Sequence, residues 1–385
     1  MGKEIKNLEK AAKRILKAVE FKEKVILYGD ADPDGVISVI ILKETLEEFG
    51  LKPVQIYFPD REKEGYGINE KALKVLKKKA PALLISFDCA MSNVKEVDLA
   101  KKNGFEVIII DHHNPLPKVP KASIIVNPKQ KGDKYSFKQL ACAGITYKLS
   151  KCLFELKEPS LVWLPERFLE LVVLATLADQ MILEDENEEF VRVGALALNY
   201  TQRAGLRALK KITDFNGDGI EEIKQKIIPP LNVAGLKDHL NEGFLLLIEK
   251  DLKKAKKMAN DLTAKVKKKR AAIKRITEEV KDRLDIAKET IIFEGDSSWT
   301  LVFLGSVASR LCQKYKRPVF LYKKGKVESP GSVRIPKGSN GVKAMINCNQ
   351  YLKTYGGHPL AAGFRIKNKN LEKFKKCLSQ YFKNQ

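Results

Sequence analysis

Residues 107–115 read Val-Ile-Ile-Ile-Asp-His-His-Asn-Pro, and this stretch decides the fold. Its β-branched run is typical of a buried parallel strand, and the Asn-Pro pair then turns the chain. Asp111, His112 and His113 therefore stand at the carboxyl end of a strand, where open α/β sheets bind ligands. Because two of the chain's four histidines lie beside a carboxylate here, the stretch indicates a metal site.

Further aspartates follow apolar segments elsewhere in the first half of the chain: Asp30, Asp32, Asp34, Asp88 and Asp179. The first four come after strand-like runs at 25–28 and 82–87, whereas helical spacing around Asp179 predicts that it projects from a helix. Each group alone also fits a turn, a helix cap or a solvated residue. Their conjunction favours a metal cluster, and oxygen ligands with imidazoles suit manganese or magnesium rather than zinc.

Four motifs resemble those of the DHH phosphoesterase superfamily: Gly29-Asp-Ala-Asp-Pro-Asp-Gly-Val-Ile-Ser, Phe87-Asp-Cys, Asp111-His-His and Ala178-Asp. Connecting segments at 59–67, 125–128, 143–148 and 206–209 resemble those of RecJ-like nucleases within it. Segments at 305–311, 331–334 and 356–364 resemble the DHH-associated domain, so the resemblance covers nearly the whole chain.

The resemblance implies a role for each residue of the cluster. Asp32 and Asp34 are expected to bind one metal each, and Asp88 is expected to bridge the two. His112 and Asp179 then complete one coordination shell, with manganese expected ahead of magnesium.

The remaining residues of the motifs carry further expectations. Asp111 is expected to orient the neighbouring histidine, as ligating imidazoles require. His113 is expected to face the substrate phosphate or the leaving group. Tyr28 stands where other members have a histidine, so Asp30 or water is the expected substitute ligand.

The same resemblance implies a substrate-binding set in the C-terminal region: Arg310, Ser332, Arg334, Gly356, Gly357 and His358. The paired glycines permit a phosphate to approach the backbone closely, and Arg334 offers paired donors to it. For Arg310 a plain surface position is the alternative, and for the glycine pair the alternative is a simple turn.

One motif points to a different chemistry. Residues 214–219 begin like an EF-hand calcium loop, but Gln225 occupies the twelfth place, where such a loop needs a glutamate. We therefore expect a turn between two helices.

Charge and composition agree with a nucleic-acid substrate. The 385 residues include 71 Lys and Arg against 48 Asp and Glu, a net charge of +23. Such a field attracts polyanions, although ion-pair networks of a thermophilic protein also explain abundant lysine. The six cysteines lack a Cys-x-x-Cys pair, and no apolar run of transmembrane length occurs, so we expect a reduced, cytoplasmic protein without membrane contact.

The alternation of strand-like and helical runs predicts an α/β fold, in which a parallel-sheet DHH domain is joined by a long helix to a smaller α/β DHH-associated domain. The expected divisions are a catalytic domain at 1–200, a helical connector at 201–285 and a substrate-binding domain at 286–385. The connector's long helix, expected at 249–284, carries a basic run at 265–270. No length remains for the OB-fold of bacterial RecJ, so an archaeal type of plan is expected.

The leading hypothesis is a metal-dependent exonuclease of single-stranded DNA, RNA or both, acting in replication or repair by a two-metal mechanism. One alternative is a phosphodiesterase of short oligonucleotides or cyclic dinucleotides. Another is a replisome scaffold that binds the GINS complex. Pro230 and Leu236 stand where related sequences often have arginines. Without the OB-fold, the grip on long strands is expected to be weaker or supplied by a partner.

Overall fold

The computed structural model describes residues 4–61, 63–286 and 288–384. It divides into two compact units, Met1–Lys265 and Val266–Gln385. Glu62, within the segment expected to resemble RecJ-like nucleases, lies outside the described residues. The three-part division with boundaries near 200 and 285 stays a proposal.

Five parallel strands form the sheet of the first unit, in the order β2-β1-β3-β4-β5. Their bounds are β1 Val25–Gly29, β2 Gln55–Tyr57, β3 Ala82–Phe87, β4 Phe105–Ile110 and β5 Ile124–Val126. Alternate residues of each strand enter different cores, because successive side chains point to opposite faces. Leu27 and Ile85 pack in one core, whereas Ile26 and Leu84 pack in the other. The predicted parallel sheet, covered on both faces, is confirmed.

Eleven helices are described in this unit before the long helix: α1 Leu8–Glu20, α2 Pro33–Glu48, α3 Glu70–Leu76, α4 Val94–Lys102, α5 Cys142–Lys157, α6 Leu169–Ala178, α7 Asp185–Asn199, α8 Ala204–Ile212, α9 Ile220–Glu222, α10 Ile228–Asn232 and α11 Glu242–Ile248. A π-helical turn at Ile223–Ile227 separates α9 from α10. A short hairpin, β6 Leu236–Lys237 and β7 Leu240–Asn241, precedes α11. Asp238 and His239 at its tip are both left-handed, as a two-residue hairpin turn requires.

Helix α12 runs for 32 residues over Leu252–Arg283, close to the predicted bounds. Its buried apolar positions are Ala255, Ala259, Leu262, Val266, Ile276 and Val280. The first three belong to the larger core of the first unit, and the last two belong to a core of the second unit.

The second unit is a smaller α/β domain, as predicted. Its sheet has the order β11-β12-β10-β9-β8, with β8 and β9 parallel and the other pairs antiparallel. The elements are β8 Ile292–Asp296, α13 Leu301–Tyr315, β9 Val319–Lys323, β10 Glu328–Arg334, α14 Gly341–Asn347, β11 Leu352–His358, β12 Ala361–Lys367 and α15 Leu371–Lys383.

The prediction that the cysteines are all reduced needs correction. Cys348 and Cys377 form a disulfide across 29 residues, whereas Cys89, Cys142, Cys152 and Cys312 are free and buried. The expectation of a fully reduced chain was wrong because two cysteines can meet through the fold without any Cys-x-x-Cys spacing. Among the residues that the structure describes, no helix combines the length and the apolar character that crossing a membrane requires.

Candidate metal centre and substrate face

Three neighbouring strands each end one residue before an aspartate. The ladder continues through these residues, because the N–H groups of Asp30, Asp88 and Asp111 donate to the carbonyls of Phe87, Ile110 and Val126 at 3.1, 3.0 and 3.1 Å. β1, β3 and β4 are in register at their last residues. The three aspartates therefore form one row across the carboxyl edge of the sheet.

The predicted ligands meet at this edge in three overlapping groups, and within each group the candidate ligand atoms lie within 4.8 Å of one another. The groups are Asp30 with Asp32 and Asp88, Asp34 with His112 and Asp179, and Asp88 with His112 and His113. Asp88 thus links the first group to the third. The expectation that Asp88 bridges two cations stays a prediction.

Two helix termini position the carboxylates of the first motif. Asp32 is the N-cap of α2 and accepts the N–H of Gly35 at 3.2 Å. Asp34 is almost fully buried, and its two oxygens accept the N–H groups of Cys142 and Ala143 at the start of α5, each at 2.8 Å. A helix N-terminus favours a carboxylate there. Both carboxylates are therefore held before any ligand binds.

Asp88, at the centre of the cluster, has an unfavourable backbone conformation and a buried carboxylate. Its backbone is left-handed, with φ of 59°, and its side chain is buried. Oδ1 of Asp88 accepts no hydrogen bond from the described residues. Burial raises the pKa of Asp88 and of Asp34 well above the usual range, and repulsion between the carboxylates adds to the rise. Strain and unpaired buried oxygens of this kind cluster at functional sites.

These donors fit divalent cations. Buried carboxylates without enough cationic partners are stable only as neutral acids or around a metal ion. Burial also lowers the pKa of His112 to about 4, so its imidazole is neutral at pH 7 and offers a lone pair. Nε2 of His112 lies 3.2 Å from Asp88 and 3.5 Å from Asp179.

Asp111 organises the two histidines. One of its oxygens accepts the N–H of His112 at 2.7 Å and the N–H of His113 at 3.0 Å. The same oxygen lies 2.8 Å from Nδ1 of His113, whose pKa it raises. The ring that Asp111 orients is therefore that of His113, which is half exposed and faces open solvent.

Asp179 reaches the cluster from the end of the helix from which it was predicted to project. Helix α6 ends at Ala178, and Asp179 is its C-cap residue. The N–H of Asp179 still donates to the carbonyl of Ala175 at 3.0 Å, as in a helix. Burial and the charge of Asp32 raise the pKa of Asp179.

Tyr28 does not take the place of the missing histidine. Its ring is fully buried and stacks on Tyr57 at 5.4 Å between centroids, and its hydroxyl donates to the carbonyl of Gly67 at 2.8 Å. Asp30 instead lies in a candidate group with Asp32 and Asp88.

Sequence reasoning missed two side chains that border the cluster. Nε of Arg61 donates to Asp30 at 2.8 Å, and Nη2 donates to both Asp30 and Asp32. Tyr66 donates to the carbonyl of Asp88 at 2.9 Å, and its ring meets His113 edge-on at 6.2 Å. Both belong to the segment at 59–67, whose likeness to RecJ-like sequences was the available signal.

The second unit assembles most of the predicted substrate set on one sheet face. Ser332, Gly363 and Gly356 lie in one row across β10, β12 and β11, and Arg334, Ala361 and His358 lie in the next. Side chains two residues apart share a face, so both rows point to the same side. Gly356 has open space where a Cβ would stand, and the glycine pair lies in a strand rather than in a turn.

Arg334 is fixed from helix α13. Its Nε donates to Ser309 at 3.0 Å, and a Cβ on Gly305 would stand 3.1 Å from its Nη2. Arg310, by contrast, is exposed on α13 and repels Lys281 of α12. One residue advances a helix by about 100°, so Arg310 points away from the side on which Ser309 meets Arg334.

The calcium-like segment at 214–219 is a turn between α8 and α9, as expected. Its N–H groups at Asn216, Gly217 and Asp218 all donate to the Glu222 carboxylate, at 2.9, 2.8 and 2.8 Å. The loop therefore encloses an anion.

Comparison with known proteins agrees with this architecture. A model of the DHH family N-terminal domain matches residues 24–176, and a DHHA1 domain model matches residues 286–384. The chain is 33% identical to the single-stranded-DNA-specific exonuclease RecJ of Bacillus subtilis (strain 168) over 387 residues, which cover 99% of this chain and 48% of that relative. It is 28% identical to RecJ of Thermus thermophilus, covering 98% of this chain and 54% of the relative. The chain thus spans about half the length of these two relatives.

Solved structures extend the comparison to three dimensions. The exonuclease RecJ bound to manganese superposes with a TM-score of 0.85 at 26% identity, covering 100% of this chain and 96% of that one. RecJ of Thermus thermophilus in complex with Mn²⁺ gives a TM-score of 0.82 at 24% identity, covering 100% of this chain and 56% of that one, which supports the fold. Both domain models match in order, and RecJ relatives align along nearly all of the chain. The chain therefore belongs to the RecJ-like DHH phosphoesterases.

Proposed function

We propose that this protein is a metal-dependent exonuclease that hydrolyses single-stranded DNA with two divalent cations. The observation that carries the proposal is the row of buried aspartates, in which Asp88 lies in candidate groups with Asp30 and Asp32 on one side and with the histidines on the other. The relatives named single-stranded-DNA-specific exonuclease supply the reaction class, and the manganese-bound RecJ structure supports manganese as the cofactor.

Each group would have a definite task at this edge. Asp32 with Asp30 would hold one cation, Asp34 with His112 and Asp179 would hold the other, and Asp88 would contact both. Two such cations activate a water and stabilise the attacking and leaving oxygens of a phosphodiester. Asp111 fixes His113, whose exposed ring would face the substrate.

The second unit would bind the phosphate backbone of the strand. Arg334 and Ser332 share a face with Gly356 and His358, and that face offers donors and room for a backbone phosphate. The net charge of +23 adds a long-range attraction for a polyanion.

Two alternatives predict different behaviour. A phosphodiesterase of short oligonucleotides or cyclic dinucleotides would lose activity as the nucleic-acid substrate lengthens. Pro230 and Leu236 stand where related sequences often have arginines, which is a reason to test this alternative. A pure scaffold has no use for buried carboxylates whose charge costs folding energy. Association with the GINS complex, digestion of RNA and a role in replication stay predictions from resemblance.

The test uses single-stranded DNA and RNA of several lengths, labelled separately at the 5′ and 3′ ends, with Mn²⁺. The key variant is Asp88→Asn, because asparagine tolerates the left-handed backbone and removes only the charge. Asp261→Asn, on the exposed side of α12, is the matched control.

Wild type and control should degrade long DNA progressively from one end. Asp88→Asn should lower the cleavage rate by more than about 100-fold. Removing a residue that contacts only a metal ligand, and not the metal itself, costs at most about 100-fold. Equal cleavage by Asp88→Asn would contradict the metal centre. Activity confined to the shortest substrates would move the assignment to the oligonucleotide phosphodiesterase.

A further inference from the structure

Beside the metal cluster lies a lysine that the proposed roles do not use. Asn127 directly follows strand β5, next to the row of aspartates, and is fully buried. Its Nδ2 donates to the carbonyl of His113 at 2.9 Å, and its Oδ1 accepts the N–H of Lys129 at 2.8 Å. A single asparagine side chain therefore joins the backbone of Lys129 to that of His113.

The ammonium group of Lys129 is close to the cluster but is not neutralised by it. Its charge acts on Asp179, Asp111 and His112. Among the described residues, Nζ of Lys129 forms neither an ion pair nor a hydrogen bond. The residue is half-buried, and burial lowers the pKa of its ammonium.

Lys129 differs in this respect from the other cation of the site. Arg61 is engaged by Asp30 and Asp32. Lys129 has no such partner among the described residues, so its three donors stay unused there. A partly desolvated ammonium with unused donors attracts an anion strongly.

We propose that Lys129 contacts a phosphate of the single strand on the His113 side of the cluster. Bound metal ions would take up the charge of Asp179, and the ammonium would then be available to the substrate. The contact rests on the proposed function for its substrate class, and it makes Lys129 a determinant of strand affinity.

The experiment measures equilibrium binding rather than turnover. The probe is a short oligothymidylate with phosphorothioate linkages that resist hydrolysis, titrated in Mn²⁺ between about 50 and 200 mM salt. The variants are Lys129→Met, which keeps the apolar stem, Lys129→Arg, which keeps the charge, and Lys131→Met, an exposed control two residues further along the loop.

Lys129→Met should weaken binding by about tenfold, as expected for a hydrogen bond to a charged group. It should also reduce the slope of log Kd against log salt by about 0.7, the value for one phosphate contact of a single strand. Lys129→Arg should restore the slope, and Lys131→Met should leave it unchanged. Calorimetry should find that Mn²⁺ affinity does not fall in any of the three, because the positive charge of Lys129 opposes a nearby cation.

An unchanged slope in Lys129→Met would overturn the proposal, as would an equal effect of Lys131→Met. A rise in Mn²⁺ affinity without loss of oligonucleotide binding would also overturn it, because Lys129 would then only balance the empty carboxylates. If Lys129 governs binding but the wild type cleaves neither DNA nor RNA, the proposed function fails while this contact stands.

Discussion

The loop that carries Asp30, Asp32 and Asp34 folds back on itself at Gly35. A Cβ on Gly35 would stand 2.5 Å from the carbonyl oxygen and 2.7 Å from the nitrogen of Asp30. Both atoms belong to the backbone at the sheet edge, so they cannot move aside as the end of a side chain could. The spacing between the aspartates therefore depends on the absence of one methyl group.

Replacing Gly35 with alanine should disturb the metal centre before it disturbs the fold. We expect Mn²⁺ affinity to fall by about 10-fold to 100-fold, the effect of displacing the support of a ligand. Isothermal titration with Mn²⁺ and a thermal melt measure the two effects. Gly144→Ala in α5 is the control, since its Cβ would make an ordinary contact of 3.4 Å with Phe190. Normal Mn²⁺ affinity in Gly35→Ala would refute the argument.

At this scale the sequence predicts the acids and histidines but not the cations. Asp88 and His112 belong to short motifs whose position after a strand is visible in the chain. Arg61 and Lys129 are two among 71 lysines and arginines, and only the likeness of the segment at 59–67 to RecJ-like sequences points to Arg61. The folded loops show that Arg61 pairs with Asp30 and that Lys129 pairs with none of the described residues.

Between α8 and α9, a loop is held by one carboxylate at its centre. Glu222 accepts three backbone N–H groups and also the ammonium of Lys226 at 2.7 Å. These donors lower the pKa of Glu222 from its ordinary 4.5 to about 2. The charged form is therefore favoured in the folded protein.

Glu222 should stabilise the protein in a defined pH window. Because the folded pKa is depressed, the contribution is complete above the unfolded pKa and declines as pH falls from 4.5 towards about 2. We expect Glu222→Gln to lower Tm at pH 7, with more than half of the difference gone by about pH 3. Glu221→Gln, an exposed neighbour, should show little difference at either pH. A difference that grows on acidification would contradict the assignment.

Strands β10 and β11 illustrate what residue patterns miss at the level of elements. Residues 328–334 contain proline and glycine, and residues 352–358 contain two adjacent glycines; both residue types are weak strand formers. The two segments form strands because β12 lies between them and pairs with both. The β-branched run of β4 was recognised because it carries its preference locally.

In the molecule as a whole, helix α12 serves two cores. Leu262 is buried in the larger core of the first unit, and Ile276 is buried in a core of the second. The apolar spacing continues along the helix, so the sequence predicts its length and amphipathic character. It does not reveal which core each turn joins, and that is why a boundary within the helix could not be predicted.

The two units should unfold as separate thermal transitions. Leu262→Ala and Ile276→Ala each remove a buried side chain at a cost of about 2–5 kcal/mol. In differential scanning calorimetry we expect Leu262→Ala to lower only the transition of Met1–Lys265 and Ile276→Ala to lower only that of Val266–Gln385. One transition that both variants shift equally would show that the units unfold as one.

The geometry of the row of aspartates depends on the number of residues in each strand. Since Asp30, Asp88 and Asp111 each directly follow the last residue of a strand, the length of that strand determines where each carboxylate is placed. Deleting one residue within β3 would turn Asp88 towards the opposite face even if every hydrogen bond of the sheet formed again. The length of each strand therefore sets the geometry of the cluster. A change of length far from the cluster would disrupt the cluster as much as the loss of an aspartate would.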